Sequence, residues 1–190
     1  MAGFKILGIV GMPGSGKSVA ADVGQTLGFT IVVMGDAVRK ETVRRGLKLT
    51  PENLGRVMVE MREEEGAVVV AKRSIAKIAE GSGSQIIVEG VRSLAEVEEF
   101  RKHFPTFELV SIHASPETRF RRISKRGRSD DPMNRHAFAE RDERELRVGL
   151  GSAIAMADHV IASEGTLTQY KKRVRTFLEE YLREGRTSRC

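Results

Sequence analysis

The chain of 190 residues holds one cysteine, Cys190, at its last position. A single thiol excludes an intramolecular disulfide and any cysteine-based metal cluster, which leaves intermolecular oxidation of the tail as the only thiol chemistry. Tryptophan is missing and aromatic residues make up 5% of the chain, too few to build a base-stacking platform for single-stranded nucleic acid. No apolar run approaches the roughly 20 residues that cross a bilayer, and the first strand runs straight into a polar loop. Neither a membrane helix nor a secretory signal is therefore expected, and the protein is placed in the cytoplasm. The four histidines, at 103, 113, 136 and 159, lack metal-ligand spacing and read as structural or surface residues. There is no internal repeat and no low-complexity segment, so residues 1–190 are expected to form one domain with a frayed tail at 185–190.

What the chain does have is positive charge, with 32 Lys and Arg against 26 Asp and Glu and a net charge of +6. Nucleic acid, anionic lipid and phosphorylated small molecules all attract such a surface. The excess concentrates in residues 119–128 and from Lys171 onward. With so few aromatic residues a small phosphorylated ligand is favoured over RNA, and no membrane partner is expected. Oligomeric state is left open.

Short apolar runs rich in β-branched residues alternate with helical patterns: "FKILGIV" (4–10), "FTIVVM" (29–34), "QIIVEG" (85–90), "FELVSIHA" (107–114) and "HVIAS" (159–163). Strand, helix, strand in this order predicts an α/β fold, a five-stranded parallel sheet covered on both faces as a three-layer sandwich. Capping signals agree: Ser93 with Glu96, Ser115 before Pro116, and Thr166 with Gln169 each open a helix. Two regions exceed a minimal sheet. Residues 36–80 read as a helical insertion broken at Gly46 and "LTPENLG", and 126–136 as a polar lid loop that contains His136. The apolar stretches "VMVEM" (57–61) and "AVVVA" (67–71) fit either an acceptor pocket or a dimer face.

"GMPGSGKS" (11–18) satisfies G-x-x-x-x-G-K-S/T, with an apolar strand before it and a helical pattern after it. Glycines at 11, 14 and 16 permit backbone angles closed to other residues, so successive N–H groups can face one concavity at the positive end of a helix. Residues Gly11, Met12, Pro13, Gly14, Ser15, Gly16, Lys17, Ser18 and Val19 are expected to hold ATP. Lys17 bridges the β- and γ-phosphates in this reading, and Ser18 ligates Mg²⁺.

Asp36 and Arg39 follow the second strand, and Glu89, Gly90 and Arg92 follow the third, all at the carboxyl edge where ligands of such sheets bind. Two guanidiniums converging there can grip one acceptor phosphate, and Asp36 or Glu89 can hold Mg²⁺ through water. "VVMGDAVRKE" is similar to the strand-then-GDxxR segment of adenylate kinases, whose arginine grips the AMP phosphate. "IIVEGVRS" resembles their strand followed by DGFPR, with Glu89 in place of the aspartate and the arginine three residues on instead of four. With "GRSDDP", "RDERE" and "ADHVIASEGTL", nearly the whole chain resembles an archaeal family of adenylate-kinase-related P-loop proteins. The resemblance implies lid arginines that neutralise the transferred phosphoryl group, for which "SPETRFRRISKRGRSDD" supplies Arg119, Arg122, Arg126 and Arg128. Arg141 with Glu145 and Glu140 with Arg144 are expected to pair within their own helix, and Arg141 or Arg144 can also face the phosphates. "ADHVIASEGTL" resembles the last strand and loop of dephospho-CoA and nucleotide kinases, which implies Ser163, Glu164 and Gly165 against the adenine.

Three activities fit these residues. The first is a nucleoside monophosphate kinase that uses ATP and Mg²⁺. The second is a dephospho-CoA-kinase-like enzyme, whose hydroxyl acceptor needs a carboxylate base such as Asp36. The third is an ATPase switch or RNA-associated protein on the same fold. The first is favoured because a phosphate acceptor needs arginines and no base, which is what Arg39 and Arg92 offer.

Overall fold

A computed structural model describes residues 5–81, 83–126, 131–132 and 134–187. Each apolar run forms a strand, within a residue or two of its sequence bounds: β1 (Lys5–Val10), β2 (Thr30–Val33), β3 (Gln85–Glu89), β4 (Glu108–His113) and β5 (His159–Ala162). All pair in parallel, in the order β2-β3-β1-β4-β5. This is the α/β fold of a P-loop NTPase. β1 lies between β3 and β4 and is covered on both faces, which is why "ILGIV" reads as an unbroken apolar run.

Alternation along the strands sorts the side chains into two layers. Leu7, Ile9, Ile87, Val110 and Ile112 pack with Ala20, Ala21 and Val23 of α1 (Lys17–Thr26) and with Tyr170, Val174 and Leu178 of α9 (Leu167–Thr187). α1 comes so close to the sheet that a Cβ on Gly24 would stand 2.2 Å from Ile87 Cδ1. Ile6, Val10, Ile86, Val88 and Leu109 face the other way. They meet the helices of the 36–80 insertion, then α5 (Leu94–His103) and α8 (Leu150–Ala155). Among the described residues no helix is long and apolar enough to cross a membrane.

The insertion is three helices, α2 (Gly35–Arg44), α3 (Pro51–Glu65) and α4 (Val69–Glu80). Gly46 is a break, as expected. "LTPENLG" is not a second one: Thr50 caps α3 by accepting from the Asn53 N–H, and the helix continues through Gly55. The second break falls instead at Gly66, where φ is +96°. Most of "VMVEM" and "AVVVA" belongs to the core, where Val57, Met61, Val69, Val70 and Ala71 are buried, while Val59 is exposed.

Glu41 of α2 locks the three helices together. Its carboxylate, 2% exposed, accepts from Arg44 and Arg45 on its own side and from Arg73 of α4 at 3.0 Å. Arg45 reaches on to Glu60 and Glu64 of α3 at 2.8 and 2.6 Å. The three guanidiniums hold the Glu41 carboxyl far below the usual carboxylate range.

Helix starts follow the expected caps, with one shift. Thr166 and Gln169 exchange both capping bonds. Ser93 accepts from the Glu96 N–H, while the Glu96 carboxylate takes the N–H of Arg92 in place of that of Ser93. α9 continues to Thr187, past the start of the expected frayed tail.

Candidate active site

The loop between β1 and α1 is built against α6 (Pro116–Arg126) and α9. Gly14 and Gly16 have φ of +80° and +105°, which favours glycine, and a Cβ on Gly14 would stand 2.9 Å from the Arg119 carbonyl oxygen. Three loop carbonyls are engaged by the surrounding helices. Arg119 donates to Pro13 O at 3.2 Å, Arg122 to Ser15 O at 3.3 Å and the Tyr170 hydroxyl to Gly16 O at 3.0 Å. Ser15 Oγ is buried in the same loop with no partner, the kind of orphaned donor that a phosphate oxygen satisfies. Lys17 opens α1, and its ammonium folds back onto Gly11 O at 2.6 Å and Met12 O at 3.2 Å.

Ser18 Oγ donates to Glu89 Oε1 at 3.1 Å, joining the start of α1 to the end of β3. Two hard oxygens at the mouth of a phosphate loop suit Mg²⁺, which keeps several waters and needs few protein ligands. The residues present therefore fit a magnesium-bound triphosphate. Asp36 does not join this pair; its carboxylate is held by Arg39 at 2.8 Å, with Lys77 of α4 at 3.9 Å.

From the loop a cleft of about 480 Å³ runs along the carboxyl edge of the sheet to β2. Gly11, Pro13, Gly14, Gly16, Ser18 and Val19 line it together with Gly90, Arg39 and Arg92. Six cations line it, Lys17, Arg39, Arg92, Arg122, Arg126 and Arg141, against the two carboxylates Glu89 and Glu145. Burial, reinforced by Arg92, pushes the Lys17 pKa down to about 8, although Glu145 and Glu89 pull the other way. A cleft this short of negative charge is made for an anion.

Several expected site residues are placed differently. Met12 packs against the core, and Asp36 stands outside the cleft. Ser163, fully buried, gives its carbonyl and hydroxyl to Arg122. The Glu164 carboxylate caps α6, accepting from the Ser115 N–H at 2.6 Å and the Thr118 hydroxyl at 2.7 Å, and these bonds hold its pKa down to about 2. Both side chains are thus engaged within the protein, and Gly165 with φ +84° lies beyond the cleft lining. Arg122 is thus fixed between Ser15 and Ser163 and is no free lid arginine, although it lines the cleft. Arg119 is a buried structural residue, paired in a fork with Asp142 of α7 (Arg135–Arg147) at 2.8 and 2.6 Å. Arg126 pairs with Asp131, which Arg141 also approaches at 3.6 Å. Arg128 lies outside the described residues, as do 127, 129, 130 and 133 of the expected lid. His136 stands exposed, 3.7 Å from Glu140.

Glu145 is the residue sequence reasoning misplaced. It belongs to the cleft and pairs with Arg92 at 3.3 Å, in place of the expected pairing with Arg141. The spacing of "RDERE" marked a charged helix, but nothing local indicated that α7 would bring this face back across to β3.

Residues 10–138 match the family described as AAA domain. A UPF0200 protein of Hyperthermus butylicus is 45% identical over 180 residues, covering 95% of this chain and 96% of the relative. Another, of Thermococcus gammatolerans, is 44% identical over 179 residues, covering 92% and 94%. Among solved structures, the chain resembles a gluconokinase from Sinorhizobium meliloti 1021, with TM-score 0.59 at 15% identity over 100% of this chain and 98% of that one. It also resembles a shikimate kinase from Bacteroides thetaiotaomicron, with TM-score 0.62 at 14% identity over 92% and 96%. Likeness at these identities is likeness of fold, here that of a P-loop kinase.

Proposed function

The chain belongs to the UPF0200 protein family, and we propose that it transfers the γ-phosphoryl group of Mg-ATP to the phosphate of a small acceptor, a nucleoside monophosphate in the first instance. The observation that carries this reading is one cleft lined both by the phosphate loop and by two arginines, Arg39 and Arg92. The motif resemblance of residues 34–46 and 85–92 to adenylate kinases supports a phosphate acceptor. A hydroxyl acceptor would need a free base, and Asp36 is instead tied to Arg39 while Glu89 is tied to Ser18. The cytoplasm, where ATP is abundant, is the compartment that goes with this activity.

In the reaction, one oxygen of the acceptor phosphate attacks the γ-phosphorus. The new P–O bond forms as the bond to the β–γ bridging oxygen breaks, and its electron pair leaves with ADP. The acceptor is already largely ionised near neutral pH, so no proton needs to be removed. Arg39 and Arg92 position the attacking oxygen, and Lys17 meets the charge that develops on the bridging oxygen. Ser18 and Glu89 would hold Mg²⁺, which supplies further neutralisation of the triphosphate oxygens. Arg126 and Arg141, together with the fixed Arg122, face the equatorial oxygens of the group in flight.

The test is ADP formation from Mg-ATP with AMP, CMP, UMP, GMP, their deoxy forms and dephospho-CoA, beside a control without acceptor. One monophosphate should stimulate turnover and yield its diphosphate in equal amount. Arg39→Ala should raise the KM of that acceptor about tenfold or more, the worth of a charge-assisted hydrogen bond. Slow ADP release, indifferent to every acceptor and to Arg39→Ala, would defeat the nucleoside monophosphate as acceptor and leave the ATPase switch as the second reading.

A further inference from the structure

Beside the main cleft, α2 and α4 enclose a second pocket of about 110 Å³, and Val33 lines both. Asp36, Lys40, Arg73 and Lys77 carry its charge. Arg73 is already matched by Glu41 and Glu65. Asp36 is committed to Arg39 at 2.8 Å and reaches Lys77 only at 3.9 Å. Lys40 has no carboxylate partner among the described residues. Lys40 and Lys77, both exposed, therefore line one small space from two helices, with Asp36 the one carboxylate in its lining.

The helix turns that carry them are tied to each other. Lys40 precedes Glu41 in α2 and Lys77 follows Arg73 by one turn of α4, and the Glu41–Arg73 pair ties those two turns together. The Asp36 carboxylate, in the lining of the small pocket, accepts from Arg39 of the main cleft on one oxygen and stands 3.9 Å from Lys77 on the other, so Arg39 and the small pocket meet at one side chain.

We infer that this pocket is an anion subsite for the acceptor, so that the acceptor is a small phosphate bearing a second anionic group, such as a carboxylate, on a short linker. The inference rests on the phosphate-acceptor reading but replaces its first instance, since a nucleoside monophosphate places no second anion there. With Asp36 neutralised by Arg39, the ammonium groups of Lys40 and Lys77 take the second anion by charge-assisted hydrogen bonds.

Matched probes isolate this effect. Glycerol 3-phosphate and 3-phosphoglycerate differ by a hydroxymethyl against a carboxylate, and ethyl phosphate and phosphoglycolate by a methyl against a carboxylate. Calorimetric titration of the full chain with each should show the acids bound about tenfold more tightly or better than their neutral counterparts. Lys40→Ala/Lys77→Ala should erase that advantage and leave glycerol 3-phosphate affinity in place. Lys171→Ala/Lys172→Ala, with the same loss of charge on α9, should keep it. Equal affinity within each pair, or an advantage that survives Lys40→Ala/Lys77→Ala, overturns the inference. Arg39→Ala should weaken all four probes together; if it weakens none, the phosphate-acceptor reading falls whatever the lysines do.

Discussion

The Lys17 ammonium rests on the Gly11 and Met12 carbonyls, in a position where burial and Arg92 hold its pKa near 8. That value makes the free loop sensitive to mildly alkaline pH. Below about 8 the lysine is charged before ATP arrives. Above it the free protein has lost that proton, while a bound triphosphate favours the charged form, so binding must take a proton up. Affinity for Mg-ATP should therefore be flat below pH 8 and fall by up to about tenfold per pH unit above it, toward the ordinary lysine value of 10.5. Lys17→Arg keeps a charge throughout, so its affinity, whatever its absolute level, should show no such slope between pH 8 and 10. Titration with a fluorescent ATP analogue across that range checks both, and parallel slopes would remove Lys17 as the titrating group. At this scale the sequence was legible where chemistry fixes spacing: the glycines, Lys17 and Ser18 stand as the motif requires. For Ser163 and Glu164 the position in the loop after β5 was apparent, whereas the buried Arg122 and the N-terminus of α6, which claim their polar groups, were not.

α7 shows how one helix can tie distant parts of the cleft together. On neighbouring positions it carries Arg141, which approaches Asp131, and Asp142, which grips the buried Arg119, and about one turn on Glu145, which holds Arg92. Arg119 in turn donates to the Pro13 carbonyl of the phosphate loop, so α7 is linked to the loop through one guanidinium. Charge pattern in the sequence correctly indicated a helix rich in ion pairs. It did not indicate the partners, because i,i+4 spacing favours pairs within a helix only until tertiary packing supplies a better-desolvated carboxylate. Glu145 sits where an acceptor phosphate must displace it from Arg92. Glu145→Gln should therefore lower the acceptor KM, or the dissociation constant of ethyl phosphate, by no more than about fivefold, as expected for a partly exposed pair. The same change removes a charge that supports the Lys17 ammonium, so the alkaline fall in ATP affinity should begin at lower pH. Tighter phosphate binding with an earlier alkaline fall is the signature to look for. Loss of phosphate affinity would mean that Glu145 orients Arg92 instead of competing for it.

Across the whole molecule, sheet and site differ in how they are encoded. The five strands announce themselves as short apolar runs, and the alternation with helices dictates parallel pairing, so order and layering followed from local pattern. The 36–80 insertion is held differently. Its helices share the core through Val57, Met61 and Ala71, but their mutual angle is pinned by a polar hub, Glu41 among Arg44, Arg45 and Arg73, assembled from residues up to 32 positions apart. Nothing in the sequence near Glu41 distinguishes it from the surface glutamates of α3, which is why the hub escaped notice. Its consequence is a dependence of stability on acid. The carboxyl pKa in the folded chain is depressed below the ordinary value of 4.5, so the hub contributes in full above that pH and is lost as pH falls below it. Glu41→Gln cannot form these ion pairs at any pH. The gap in Tm between the native chain and Glu41→Gln should therefore be widest and constant from pH 5 to 7, and should narrow steadily as pH drops below about 4.5. Thermal unfolding followed by circular dichroism across pH 3 to 7 measures it. A gap that does not change with pH would mean that the three arginines tolerate a neutral amide as well as a carboxylate, and that the hub acts by shape and not by charge.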